Sequence, residues 1–335
     1  MALTRRRFTA GAVAGLSATG LAGAVSPTVA QQPQKLTVRT DFPPWGLHAG
    51  LHLAVDNGAF KDAGVDVDVS DGKGSSLVMQ QVAAGDIDIG WVQLGPMAAA
   101  RGKGLPITSI AGFVRKSDLG GLVPKDSNIK TVKDLEGKKV AYSAASSWGS
   151  LLDTFLEAGG TSRDKIDLVS VDSSALLSVY LTKQADCTLT SYPFAKPAAD
   201  RLRPSNGLLF SDVGLNFPSY GLIVTEKTLA SREDALKRFV PALVKTWEYI
   251  YNGHVDDAVA AMMRQRASEK LDVDILKGQL VGYQPFFVTP RTKDKRFGWQ
   301  SDDDWKDTLG ILEKTKLVPS GTKTADYYTN KFVPA

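Results

Sequence analysis

The chain has 335 residues, with 40 basic and 36 acidic side chains, a formal charge of +4 and a single cysteine, Cys187. That near balance is no footprint for nucleic acid, one cysteine excludes an intramolecular disulfide, and the length suits two α/β lobes with their own cores. Beyond the first thirty residues no uninterrupted apolar run is long enough to cross a bilayer.

The first thirty residues read as an export signal rather than as part of the fold. Arg5, Arg6 and Arg7 supply the charge, Ala10 to Val25 is apolar and rich in Ala and Gly, and Thr28-Val29-Ala30 offers small residues for cleavage after Ala30. The run Thr4-Arg5-Arg6-Arg7-Phe8 resembles the twin-arginine signal, and an ordinary secretory signal with an extra arginine is the alternative. No cysteine lies near the cleavage point to carry a lipid, so the sequence predicts a freely diffusing periplasmic protein, monomeric and not membrane-embedded. Losing the three arginines leaves 37 basic against 36 acidic residues, a formal +1.

From Lys35 onward, short β-like runs alternate with helical stretches, as expected of α/β lobes built on mostly parallel sheets. Leu36 to Arg39 is the first strand, followed by the loop Asp41-Phe42-Pro43-Pro44-Trp45. A helix is predicted from Gly50 to Ala63 with Gly64 as its stop. Val65, Val67 and Val69 alternate with acids in a half-buried strand. The Gly- and Ser-rich turn Asp71 to Ser76 opens a helix ended by Gly85. Ile87, Ile89 and Trp91 form a strand, Met97 to Arg101 a helix, and Ile107, Ile110 and Phe113 another strand.

A second lobe begins near Gly120. Val132 to Val140 is a short helical turn leading into a strand, Val140 to Ser143, and Ser146 to Ser150 starts a helix with Leu151, Leu152, Phe155 and Leu156 on its core face. Leu168 to Val171 is a strand, Leu176 to Leu181 a helix, and Asp186 to Thr190 a strand ending at Tyr192-Pro193. Gly221 to Val224 returns to the first lobe. Ser231 to Tyr251 is helical, with Pro241 predicted to kink or divide it, and Asp302 to Lys314 is a last amphipathic helix. No internal sequence repeat is visible.

Four segments carry a resemblance to a known family. They are Trp45 to His48 with Leu53-Ala54-Val55 and Gly58-Ala59-Phe60; Gly85 to Gly90; Asp134 to Ala141; and Gln184 to Pro193. In order and spacing the chain resembles the SsuA-like periplasmic substrate-binding proteins of nitrate, taurine, aliphatic-sulfonate and thiamine-pyrimidine ABC transporters. The resemblance implies a type II periplasmic-binding-protein fold, two α/β lobes joined by two hinge strands near Phe113 to Val123 and Phe217 to Ile223. Lobe 1 is then 35–118 plus 218–335, and lobe 2 is 119–217. It also implies closure of the lobes around a small molecule, with an ABC permease and its ATPase as partners.

Ligands of open α/β sheets sit outside the carboxyl ends of the strands, which selects the loops above as cleft walls. Trp45 is a candidate stacking residue there, with plain packing as the alternative. Ser75 with Ser76, and Ser146 with Ser147, open helices whose dipoles suit an anion, although serine also caps helices without any ligand. Trp91, Gln93, Trp148, Tyr192 and Tyr220 are candidates for flat faces and polar tips, with Trp91 read more readily as plain strand core. His48 and His52 are four apart. His254 and Cys187 are distant and no zincin motif follows, so neither metal nor cofactor is expected, and His48 is a candidate hydrogen-bond donor to ligand.

These residues point to binding of a small organic anion, a sulfonate, carboxylate or aromatic acid, with a thiamine-related pyrimidine as the alternative. Catalysis is a competing class, because fungal pyrimidine-making enzymes share the implied fold. They carry a cysteine-rich iron motif, absent here, and no nucleophile and base pair presents itself in a cleft loop. A receptor role reporting to a signalling protein is the third class.

Overall fold

Short strands rich in β-branched residues and the helices between them build two five-stranded sheets. A computed structural model describes residues 34–335, and the predicted export signal lies outside the described residues. The first part of the chain runs β1 (Gln34–Thr40), α1 (Ala49–Asp56), α2 (Ala59–Asp62), β2 (Val65–Ser70), α3 (Ser75–Ala84), β3 (Ile89–Gln93), α4 (Leu94–Gly102) and β4 (Ile107–Gly112). The middle part holds β5 (Leu119–Pro124), β6 (Lys139–Tyr142), α5 (Trp148–Ala158), β7 (Asp167–Ser170), α6 (Leu176–Leu181), β8 (Cys187–Ser191), α7 (Tyr192–Leu202) and β9 (Ser205–Leu209). The last part is β10 (Tyr220–Thr225), α8 (Glu226–Ser231), α9 (Glu233–Tyr251), α10 (Val255–Gln265), α11 (Val273–Tyr283) and α12 (Asp302–Lys314).

The strand orders are β2-β1-β3-β10-β4 and β7-β6-β8-β5-β9. The same topology therefore occurs twice without any sequence repeat. In each sheet the fourth strand in order is the one that has just crossed from the other sheet. It runs antiparallel to its neighbours, β10 to β3 and β4, and β5 to β8 and β9. Both sheets are thus mixed rather than mostly parallel. The inner strands β3 and β10 are buried along their length, as is β4, whose outer edge meets the C-terminal segment, whereas the open edge strand β2 buries only Val65 fully, as position in a covered sheet dictates.

Three local expectations are corrected. The predicted helix from Gly50 to Ala63 is two helices, because Gly58 takes φ +80° between them and the Asn57 side chain accepts from the Ala59 N–H at 3.0 Å, restarting the helix. Pro241 does not divide its helix, which is continuous from Glu233 to Tyr251. The buried face of that helix (Leu236, Phe239, Val240, Leu243, Trp247 and Ile250) outweighs the one backbone hydrogen bond that proline removes. Strand β9 has no counterpart in the sequence reading. Its Asn206-Gly207 pair signals a turn, yet here it lies in an edge strand paired with β5.

The helices after β10 return to the first sheet. Isolated bridges pair Ser109 with Tyr328 and Gly112 with Gly298, and α9 lays its apolar face on the core that holds Leu36, Val38 and Trp91. Buried Arg115, on the first crossing link, donates to the Thr292 carbonyl at 3.1 Å and to the Arg296 carbonyl, tying that link to the C-terminal segment. Burial lowers its guanidinium to about 10, so it remains charged at neutral pH. No described helix is long and apolar enough to cross a membrane.

His52 sits in this core at 1% exposure. Its Nδ1 lies 3.1 Å from Gln265 Oε1 and its Nε2 3.5 Å from Arg266 Nε, which fixes a neutral ring with the proton on Nδ1. Burial lowers its pKa from 6.5 to about 4, a displacement equivalent to roughly 3 kcal/mol. The unfolded chain takes up a proton near pH 6.5 while the native ring stays neutral to about pH 4, so this stability is present above pH 6.5 and is lost on acidification. Urea unfolding at pH 7 and pH 4.5 will show His52→Gln losing roughly 2 kcal/mol less on acidification than the parent. Equal losses would mean that the ring is not held neutral.

Candidate functional site

Loops at the carboxyl ends of β1, β2, β3, β6, β7 and β8 meet between the two sheets and line a single cavity. This is where ligands of open α/β sheets bind. From the first sheet the wall takes Asp41, Phe42 and Trp45 after β1, Gly74 and Ser75 at the start of α3, and Gln93 at the end of β3. The second contributes Ser146, Ser147 and Trp148 at the start of α5, Ser173 and Leu176 before and in α6, and Leu189 to Ser191 with Phe194. Leu119 of β5 and Tyr220 of β10, next to the crossing links, complete it.

Aromatic rings form much of the surface. Trp45 packs edge-on against Phe194 at 5.2 Å and Tyr220 at 5.6 Å between centroids, and Phe42 meets Phe194 at 5.6 Å. Trp148 anchors in the second lobe against Phe155 and Phe210. The indole N–H groups of Trp45 and Trp148 are buried without a partner among the described residues.

One polar arc runs across the cavity. The Asp41 carboxylate accepts from His48 Nε2 and from the Tyr220 hydroxyl, each at 3.0 Å. Ser191 Oγ lies 3.4 Å from the Tyr220 hydroxyl and accepts from Gln93 Nε2 at 3.3 Å, and Gln93 Nε2 also donates to buried Asp118 at 3.0 Å. Burial, together with Asp41 and Asp118, pushes the Tyr220 phenol well above its ordinary value, so it keeps its proton and donates. Among the described residues no lysine or arginine lines the cavity, and Asp41 is its one carboxylate.

The cleft is shut. Ser76 Oγ donates to the Ser146 carbonyl across it at 3.2 Å, and a Cβ on Gly74 would stand 2.2 Å from the Ala145 carbonyl oxygen. The helix-start serines mostly serve the protein itself. Ser146 Oγ donates to the Ser143 carbonyl at 2.7 Å and accepts from the Trp148 N–H at 3.3 Å, and Ser75 Oγ accepts from the Gln93 N–H at 3.4 Å.

Of the residues singled out in the sequence, the structure brings Trp45, Ser75, Gln93, Ser146, Ser147, Trp148 and Tyr220 together on the wall. Four lie elsewhere. Trp91 is fully buried in a stack with Tyr220 and Trp247, both at 6.2 Å, because its strand is covered on both faces. His48 stands behind Asp41 and Trp45. Ser76 is at the lobe contact, and the Tyr192 ring turns onto Gly207 of edge strand β9 while its neighbours Ser191 and Phe194 face the cavity. Asp41, Phe42, Ser173, Ser191 and Phe194 were not anticipated. The first two had a signal in their place directly after β1, where the carboxyl-end rule applies. Cys187 is buried in β8, where desolvation raises its thiol well above the ordinary range.

Residues 45–254 match the family model described as NMT1/THI5 like. The chain is 25% identical to a putative thiamine biosynthesis protein of Haemophilus influenzae, over 88% of this chain and 91% of that one. It is 22% identical to the formylaminopyrimidine-binding protein of Halalkalibacterium halodurans, over 84% and 85%. Among solved structures, the alkanesulfonate-binding protein SsuA from Xanthomonas axonopodis pv. citri, bound to MOPS, superposes with a TM-score of 0.69 at 16% identity, covering 89% of this chain and 99% of that one.

Proposed function

We propose, from the premise that this chain belongs to the NMT1/THI5-like family, that it is the solute-binding component of an ABC importer for a flat, amino-bearing heteroaromatic ring of the aminopyrimidine class. The observation that carries this reading is the make-up of the wall: aromatic faces, one carboxylate and no cation among the described residues. A sulfonate or carboxylate enclosed here would lose its hydration without gaining a counter-charge and would face Asp41, which is costly. The anion expected from the serine-rich helix starts is therefore the weaker candidate. An exocyclic amino group donates to Asp41 while its ring stacks on Trp45 or Phe194. The names of the two relatives from Haemophilus and Halalkalibacterium support the same class.

Binding without chemistry agrees with the site. The chain's one cysteine is not on the cavity wall but sealed in β8, and Tyr220 is held as a donor rather than as a base. On this reading the lobes turn about the links at 113–118 and 210–219, close on the ligand, and present the closed form to a permease and its ATPase in the periplasm.

A thermal-shift screen tests the ligand class. At about 100 times its dissociation constant a true ligand adds roughly 2.7 kcal/mol of stability. Aminopyrimidines will raise the melting temperature more than alkane- or arenesulfonates, and the opposite ranking would refute this assignment.

A further inference from the structure

Asp118 does not line the cavity, yet its carboxylate ends the polar arc. It is fully buried on the first crossing link, and three side chains distant in sequence donate to it: Gln93 Nε2 at 3.0 Å, the Ser219 hydroxyl and the Tyr283 hydroxyl. The hydrogens of the arc can be assigned in turn. A hydroxyl has one hydrogen; that of Tyr220 goes to Asp41, so Ser191 donates to Tyr220 and accepts from Gln93. The two hydrogens of Gln93 Nε2 are then both committed, one to Ser191 and one to Asp118. Gln93 Oε1 has no hydrogen-bond partner among the described residues, although Gln93 is only 3% exposed and lines the cavity.

We infer that Asp118 is a positioning residue that sets the hydrogen-bond polarity of the cavity: it turns the Gln93 amino group away from the ligand and leaves Oε1 facing it. A carboxylate can only accept, so Gln93 cannot present its oxygen to Asp118. With Gln93, Ser191, Tyr220 and His48 all donating along the arc, what the arc itself leaves for a ligand is a pair of acceptors, Gln93 Oε1 and Asp41. A ligand bearing donors on one edge is selected, and one bearing a carbonyl there is rejected because two acceptors would be left unpaired. Burial pushes the Asp118 carboxyl up and so works against its charge, and the bonds from Ser219, Tyr283 and Ser191 oppose that rise; it is the three donors converging on it that hold it as an acceptor. The ligand preference rests on the function proposed above; the orientation of Gln93 does not.

Two readouts keep these apart. In the ligand-free protein, nitrogen-15 NMR will find the Gln93 side-chain amide hydrogens, identified by their loss in Gln93→Met, exchanging roughly tenfold or more slowly than those of exposed glutamines. Asp118→Asn, whose own amide can donate, will release them. In calorimetry with 4-amino-2-methylpyrimidine and its 4-oxo counterpart, the parent will favour the amino probe, and Asp118→Asn will narrow that ratio by roughly fivefold or more. Fast exchange in the parent, unchanged exchange in the variant, or an equal loss for both probes would overturn the inference. Should Asp118→Asn not fold, slow exchange in the parent and a selective loss of the amino probe in Gln93→Met decide the matter. Failure of the parent to bind either probe would count against the aminopyrimidine assignment alone, since exchange still judges Asp118.

Discussion

Replacing Gly74 with alanine will leave the ligand-free protein folded but lower its affinity for ligand by roughly hundredfold. Gly74 precedes α3 with φ +123°, a conformation open to glycine and strained for other residues. Its more severe constraint comes from across the cleft, where an added Cβ would stand 2.2 Å from the Ala145 carbonyl oxygen and 2.7 Å from its carbon. Both are backbone atoms and cannot swing aside. On the two-lobe reading the clash exists only when the cleft is shut, so alanine acts against the closed form, and a bias of roughly 3 kcal/mol suffices for the hundredfold loss. Scattering from the variant should stay the same with and without an aminopyrimidine, whereas the parent contracts. Parent-like affinity in the variant would mean that this contact is no part of the bound state. A large fall in the melting temperature of the ligand-free variant would instead assign the effect to local strain.

What the sequence disclosed followed from periodicity and from the rule that ligands meet the carboxyl ends of strands. Trp45, Gln93 and the serines of the two helix starts were accessible in this way because each lies a few residues beyond a recognisable strand. Trp91, offered both as a cleft residue and as strand core, is core, for a reason intrinsic to the pattern. A strand covered on both faces has no cavity side, and alternation cannot show that helices such as α9 will cover it. Ser191 and Tyr192 illustrate the converse: β8 ends at Ser191 and α7 begins at Tyr192, and at this strand-to-helix junction the serine faces the cavity while the phenol turns onto Gly207. Asp118 was illegible altogether. Its partners Gln93, Ser219 and Tyr283 are 25, 101 and 165 residues away, and only the double crossing of the chain between the sheets gathers them. The mixed sheets have the same origin, because a strand entering from the other lobe carries no local mark of its direction.

The polarity of the site also predicts what Asp41→Asn will do: affinity for amino-bearing pyrimidines will fall by roughly 10- to 100-fold, with the fold retained. Hydrogen bonds to a charged partner contribute about 1.5–3 kcal/mol, which spans that range, and asparagine removes the charge at almost constant shape. Retention of the fold follows from the arc itself. In the parent both oxygens of Asp41 accept, one from His48 and one from Tyr220, so an amide must set its NH2 against one of two donors. Tyr220 could turn its hydrogen only toward Ser191, 3.4 Å away and already accepting from Gln93. His48 has an alternative, since its Nδ1 is buried without a partner among the described residues. Moving the proton to Nδ1 turns Nε2 into an acceptor for the new amide, and the substituted side chain then keeps its oxygen toward Tyr220. Calorimetry with 4-amino-2-methylpyrimidine against the parent and the variant measures the loss, and a flat ring lacking the amino group serves as control, its affinity expected to be unchanged. If both ligands weaken alike, Asp41 shapes the loop rather than reading the ligand; if neither weakens, the recognition of an amino group by this carboxylate is wrong.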